Sequence, residues 1–113
     1  MNFGFYLRKL REDRNLRQAD LAEKIGVSPV YISDIERGRR NPPDSEKLRI
    51  WVDQLSLSQD EVSKFYDLVG NARGNAPPDI MEYLNSNQAA ISAIRRIMGQ
   101  KKEFNWDTIA HRR

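Results

Sequence analysis

Arg37, Arg39 and Arg40 crowd together, Arg17 and Gln18 stand side by side earlier in the chain, and Ser28 and Tyr31 lie between the two groups. All of these side chains donate hydrogen bonds and four of them are cationic. The chemistry they suit is the holding of anionic oxygens, phosphates above all. Catalytic chemistry is poorly provided for. There is no cysteine, and the lone His111 lies at the polar C-terminal end with no Cys or His partner to share a metal. Glu12 and Asp13, like Asp60 and Glu61, are neighbours in sequence, so on a helix their side chains point about 100° apart and serve as caps and solvated charges. With no glycine-rich phosphate loop, no Ser-His-Asp set and no metal spacing, we expect no enzyme, no cofactor and no bound metal.

The elements that must position these donors are helices. Phe5, Leu7, Leu10 and Arg14 recur at roughly helical spacing and predict a helix over 3–14. Asn15 tolerates a left-handed backbone and suits a stop. A second helix is expected over 18–25, with Leu21, Ala22 and Ile25 inward and Gly26 ending it. Ser28 followed by Pro29 supplies an N-cap and a first-turn proline, so a third helix starts there and runs to about Arg37, with Ile32 and Ile35 inward and Gly38 after it. A fourth begins at Asp44 or Ser45 and turns Leu48, Val52 and Leu55 to one face with Trp51 beside them. Ser58 and Glu61 form a capping-box pattern for a fifth, with Val62, Phe65 and Val69 inward. The Gly-, Asn- and Pro-rich stretch after it reads as a linker over 71–78. Two shorter helices follow, DIMEYLN and QAAISAIRRIMGQ. No strand alternation is present, so the fold class is all-α, with a domain over 1–70 and a helical tail over 79–113.

Charge follows the same division. Residues 1–42 hold nine Lys/Arg against six Asp/Glu, and residues 43–113 hold ten against ten, so the net +3 lies wholly in the N-terminal part. A basic bias there suits a polyanionic partner.

Two helices joined by a short glycine-containing turn, the second entered through a Ser-Pro cap, are the physical outline of a helix-turn-helix. The segment RQADLAEKIGVSPVYISDIERGRRNPP closely resembles the Cro and phage-repressor type of that family, also called Xre-like, at Gln18, Leu21-Ala22, Gly26-Val27-Ser28, Ile32, Ile35-Glu36 and Gly38. The resemblance covers roughly residues 4–70 and implies a five-helix, lambda-repressor-like DNA-binding domain followed by a short helical extension. It further implies that Pro29, Val30, Ser33 and Asp34 face bases. Val30 would pack on a thymine methyl and Asp34 either accept from a cytosine amine or remain a solvated acid. Arg17, Gln18, Ser28, Tyr31, Arg37, Arg39 and Arg40 would hold phosphates. Arg11 and Glu36 resemble an ion pair tying the first helix to the end of the third.

The implied function is a sequence-specific transcriptional regulator, most simply a repressor, that binds two-fold operator sites in double-stranded DNA as a homodimer. The tail carries Ile80, Met81, Tyr83, Leu84, Ile91, Ile94, Ile97 and Met98. That is more apolar surface than two short helices can hide, so they pack back on the domain, form a subunit interface or meet a partner protein. Arg95-Arg96 and Lys101-Lys102 are either further DNA contacts or a solvated face. Two other roles stay open: an antitoxin that binds DNA and, through the tail, a toxin protein, and an interaction module that keeps the fold without DNA affinity. The charges at Arg8, Lys9 and Arg11 interrupt any apolar run near the start, so we expect no signal peptide, no membrane partner and a cytoplasmic location.

Overall fold

A computed structural model describes residues 1–100 and 105–111. The helices run in the order α1 (Phe3–Asp13), α2 (Gln18–Ile25), α3 (Pro29–Glu36), α4 (Ser45–Gln54), α5 (Gln59–Arg73), α6 (Pro78–Asn85), α7 (Gln88–Met98) and α8 (Trp106–Ala110), with no strand among the described residues. The all-α class expected from the sequence is what is found.

Local chemistry accounts for most of the boundaries. The side chains of Asn2, Ser28, Asp44 and Ser58 each accept a hydrogen bond from a backbone N–H of the helix they precede, satisfying donors that a helix start leaves unpaired. Ser58 and Glu61 complete the reciprocal pair expected of a capping box, with Ser58 N donating to Glu61 Oε1 at 2.9 Å. Asn15 stands at φ 57° after α1, and Gly26 at φ 75° ends α2. α5 carries on past Gly70 through Asn71, Ala72 and Arg73, into the stretch read as linker, and stops at Gly74.

By its internal contacts the chain falls into two units, Met1–Ile80 and Met81–Arg113. In the first, α2 and α3 pack on each other, α1 lies against α3 and α5, and α4 lies against α2. Leu7 and Leu10 from α1, Leu21 from α2, Ile32 and Ile35 from α3, Leu48 and Trp51 from α4, and Phe65 and Val69 from α5 are almost wholly removed from water. Each such side chain contributes roughly 1.5–3 kcal/mol by burial. Phe5, Val52 and Val62 differ from the expected stripes, Val62 of α5 being half-buried at the edge of the core. Phe5 is 56% exposed, because Phe3, Tyr6, Leu7 and Leu10 are the residues whose spacing shares one face of α1. On α4 it is Trp51 that fills the core, while Val52 is half-buried at its edge.

In the second unit α7 buries no residue fully: Ile91, Ile94 and Ile97 are half-buried and Met98 is 76% exposed. Asn87 spans the turn before α7 by donating from Nδ2 to the Tyr83 carbonyl at 2.6 Å. Lys101, Lys102 and Phe104 lie outside the described residues.

Candidate nucleic-acid interface

α2 and α3 are joined by the three residues Gly26, Val27 and Ser28. Ala22 and Leu21 are buried, and Val27 packs against the core, so the two helices are fixed to each other by apolar contact at their crossing. Ala22 is buried in the core of the domain, so a larger side chain there would have to push its neighbours aside. Two close approaches were not legible in the residue pattern. A Cβ added at Gly4 would fall 2.3 Å from the Ile35 carbonyl oxygen and 2.9 Å from that of Glu36, so the start of α1 rests directly on the end of α3. Arg14 donates from Nε to the Leu55 carbonyl at 2.7 Å, from Nη1 to the Leu10 carbonyl at 3.1 Å and from Nη2 to Glu61 at 3.0 Å, clamping the ends of α1 and α4 to the start of α5.

Glu36 is the hub of the motif. Arg11 donates to it twice, from Nε to Oε2 at 2.8 Å and from Nη2 to Oε1 at 2.9 Å, and the Glu36 side chain is only 3% exposed. Arg11 Nη1 also donates to the Leu16 carbonyl at 2.8 Å, in the turn between α1 and α2. Hydrogen bonding to Glu36 holds the Arg11 guanidinium protonated more firmly than usual. A third donor reaches the same carboxylate: Gln18 Nε2 lies 3.2 Å from Glu36 Oε1. Gln18 is the first residue of α2, so its amide is oriented by the end of α3 and has one N–H left to offer outward.

The sequence-derived base-facing residues lie together on α3. Pro29 and Val30 are exposed, Val30 by 69%, whereas Ser33 and Asp34 are half-buried. A large apolar side chain so exposed at the start of a helix otherwise anchored in the core is available for contact.

The residues assigned to phosphates differ in what already engages them. Arg37, Arg39 and Arg40 are exposed, and none forms an ion pair among the described residues. Arg17 is paired with Asp20, Nη2 to Oδ1 at 3.0 Å, and Asp20 also accepts from the Arg17 backbone N–H at 2.9 Å to cap α2. That pairing holds the Asp20 carboxyl below its ordinary range, so the charge of Arg17 is locally balanced. Ser28 Oγ is engaged in capping, accepting from Tyr31 N at 3.1 Å, which leaves only its hydroxyl proton to donate. Tyr31 is half-buried, its ring perpendicular to Trp51 with centroids 6.2 Å apart, and burial pushes its phenol upward in pKa.

Of the tail residues, Ile80, Tyr83 and Met98 are exposed, and Leu84, Ile91, Ile94 and Ile97 are half-buried. No helix of the described residues is long and apolar enough to cross a membrane, and no group of three or more His, Asp or Glu among them could hold a metal ion.

Residues 2–65 match a family model described as a helix-turn-helix domain. Over 41 residues, 36% of this chain and 18% of the relative, the sequence is 56% identical to an HTH-type transcriptional regulator of Archaeoglobus fulgidus described as uncharacterized. It is 33% identical over 72 residues to the HTH-type transcriptional regulator DdrOP3 of Deinococcus deserti, covering 64% of this chain and 55% of that one. It is 45% identical over 42 residues to the immunity repressor protein of Bacillus phage phi105, covering 37% and 29%. These matches thus span between about a fifth and a little over half of the relatives' own lengths. No solved structure matches the chain.

Proposed function

The chain belongs to the helix-turn-helix domain family, of the Cro and phage-repressor type, and from that premise we propose that it is a sequence-specific DNA-binding transcriptional regulator. The observation that carries this reading is the exposed start of α3, with Pro29 and Val30 open to solvent, together with the exposed cations Arg37, Arg39 and Arg40 that follow the end of the same helix and form no ion pair among the described residues. A recognition helix reads base edges with its first residues while neighbouring donors hold phosphates and set its register. Gln18, oriented by Glu36 at the positive end of the α2 dipole, supplies one such donor. Relatives named as regulators and as a phage immunity repressor support the same reading.

The finer proposal is a repressor that binds two-fold operator DNA as a dimer and occludes a promoter in the cytoplasm. Support for dimerisation comes from the second unit, where Tyr83 and Met98 are exposed and Ile91, Ile94 and Ile97 are incompletely covered. Among its described residues that unit buries no side chain fully, and association is a common remedy for so small a unit.

Selection of sites from a random duplex library at about 150 mM salt, where non-specific binding is weak, tests both levels. The expected product is a two-fold symmetric site with half-sites about 10 base pairs apart. Enrichment of an asymmetric site would remove the dimer and keep the regulator. No enrichment would favour a protein-interaction module, a reading consistent with the absence of Arg, Asn or Gln at positions 29, 30, 33 and 34.

A further inference from the structure

The guanidinium carbon of Arg40 sits 4.8 Å from the centroid of the Tyr31 ring, and that ring stands perpendicular to Trp51, 6.2 Å away centroid to centroid. Trp51 is 1% exposed, so the three side chains form a column that runs from the core of the domain to its surface beside α3. We propose that Tyr31 is a positioning residue: its ring holds Arg40 ready to bind a DNA phosphate, and its hydroxyl makes no phosphate contact itself. This inference rests on the DNA-binding reading above and changes the part Tyr31 plays in it.

Guanidinium geometry is the physical reason. The five N–H donors of arginine fan out around its planar guanidinium, so a cation held over an aromatic ring keeps donors free for an anionic oxygen. A flexible side chain that is already placed loses less entropy when it binds. The charge is also left available. Asp44 is the acid whose field reaches Tyr31, yet its carboxylate is committed to the Lys47 backbone N–H at 3.0 Å as the cap of α4, and it forms no ion pair with Arg40. Tyr31, for its part, is half-buried, and its position is fixed by the core through Trp51 rather than by solvent.

The test is the affinity of the full chain for a fluorescein-labelled, mixed-sequence DNA duplex, measured across salt for the wild type, Arg40→Ala, Tyr31→Phe, Tyr31→Leu and the Tyr31→Leu/Arg40→Ala double variant. Arg40→Ala should make the salt slope shallower by nearly one unit. Tyr31→Phe keeps the ring and should match the wild type. Tyr31→Leu should weaken binding about two- to fivefold with the slope held, since the cation remains but is no longer placed. In the Arg40→Ala background the same change should add nothing, because coupled side chains are not additive. If Tyr31→Leu does not fold, Tyr31→Met fills the space against Trp51 without a ring face and carries the same expectation. Equal losses for Tyr31→Phe and Tyr31→Leu would assign the contact to the hydroxyl and overturn the proposal. Additive effects of the two positions, or a slope unchanged by Arg40→Ala, would overturn it too. A wild-type chain that fails to bind the duplex even at low salt would instead overturn the DNA-binding reading, and this one with it.

Discussion

Arg11 and Glu36 meet side-on through two hydrogen bonds of 2.8 and 2.9 Å, across 25 positions of sequence and with both side chains nearly closed to water. Such a pair offsets its own desolvation only while it is complete. Arg11→Met leaves the Glu36 carboxylate buried with the Gln18 amide as its remaining side-chain donor. We expect a loss of about 3–5 kcal/mol in urea denaturation, and recovery of most of it in the Arg11→Met/Glu36→Leu double variant. A single-variant loss below about 1 kcal/mol would show that the pair is well solvated after all.

Gly4 and Gly26 should respond to alanine for different reasons. At Gly4 the new Cβ would meet backbone oxygens of Ile35 and Glu36, which cannot swing aside, so α1 must shift from the end of α3. Gly4→Ala should cost roughly 1–3 kcal/mol by overpacking. At Gly26 nothing lies within 4 Å, but φ is 75°, so the cost is backbone strain alone, about 1–2 kcal/mol. Replacing Gly26 by asparagine, which tolerates that conformation, should recover part of the loss, whereas Gly4→Asn should be worse than Gly4→Ala. Equal behaviour of the two glycines in thermal melts would contradict this account.

Acid sensitivity should centre on Glu61. The Ser58 backbone N–H donates to its carboxylate and Arg14 adds a charged hydrogen bond, which together hold its pKa below the ordinary glutamate value despite partial burial. A depressed folded-state pKa contributes stability that is complete above the unfolded value, about 4.3, and disappears as pH falls through the lower folded value. Glu61→Gln should therefore be less stable than the wild type at neutral pH, and the difference should shrink below about pH 4. A difference that stays constant down to pH 3 would mean that the charge of Glu61 plays no part.

What was legible in the sequence was mostly local. Ser28-Pro29, Asn15, Gly26 and the Ser58/Glu61 box each act within a few residues, so helix starts and stops could be read before any tertiary structure was known. Interior faces followed from periodicity in large part; on α1 and α4 two overlapping stripes were present and packing against α5 and α3 chose Phe3 over Phe5 and Trp51 over Val52, and on α5 Tyr66 and Leu68 are buried while Val62 stays half-buried. Contacts between distant positions leave no such trace. Nothing around Gly4 announces that two backbones meet there, and Arg14 resembles any surface arginine until Leu55 and Glu61 are brought to it from 41 and 47 positions away. The Arg11–Glu36 pair came from family resemblance rather than from spacing. The interaction of Gln18 with that pair, and of Arg40 with Tyr31, needed the folded chain.

The same contrast separates two arginines that composition cannot tell apart. Arg14 has three of its five N–H donors committed to Leu10, Leu55 and Glu61, whereas Arg39 is exposed and forms no ion pair among the described residues. Removing Arg14 takes three hydrogen bonds from the joint of α1, α4 and α5, so Arg14→Ala should cost about 1.5–3 kcal/mol of stability. Its charge is already paired with Glu61, so the salt slope of DNA binding should stay that of the wild type. Arg39→Ala should do the reverse. Stability should hold within about 0.5 kcal/mol, as at an ordinary surface site. The slope of log affinity against log salt should become shallower by nearly one, with all duplex sequences weakened alike, because a lost phosphate contact carries charge but no base information. An Arg39→Ala variant that changed the preferred operator instead would place that side chain in the groove, among the base-facing residues of α3.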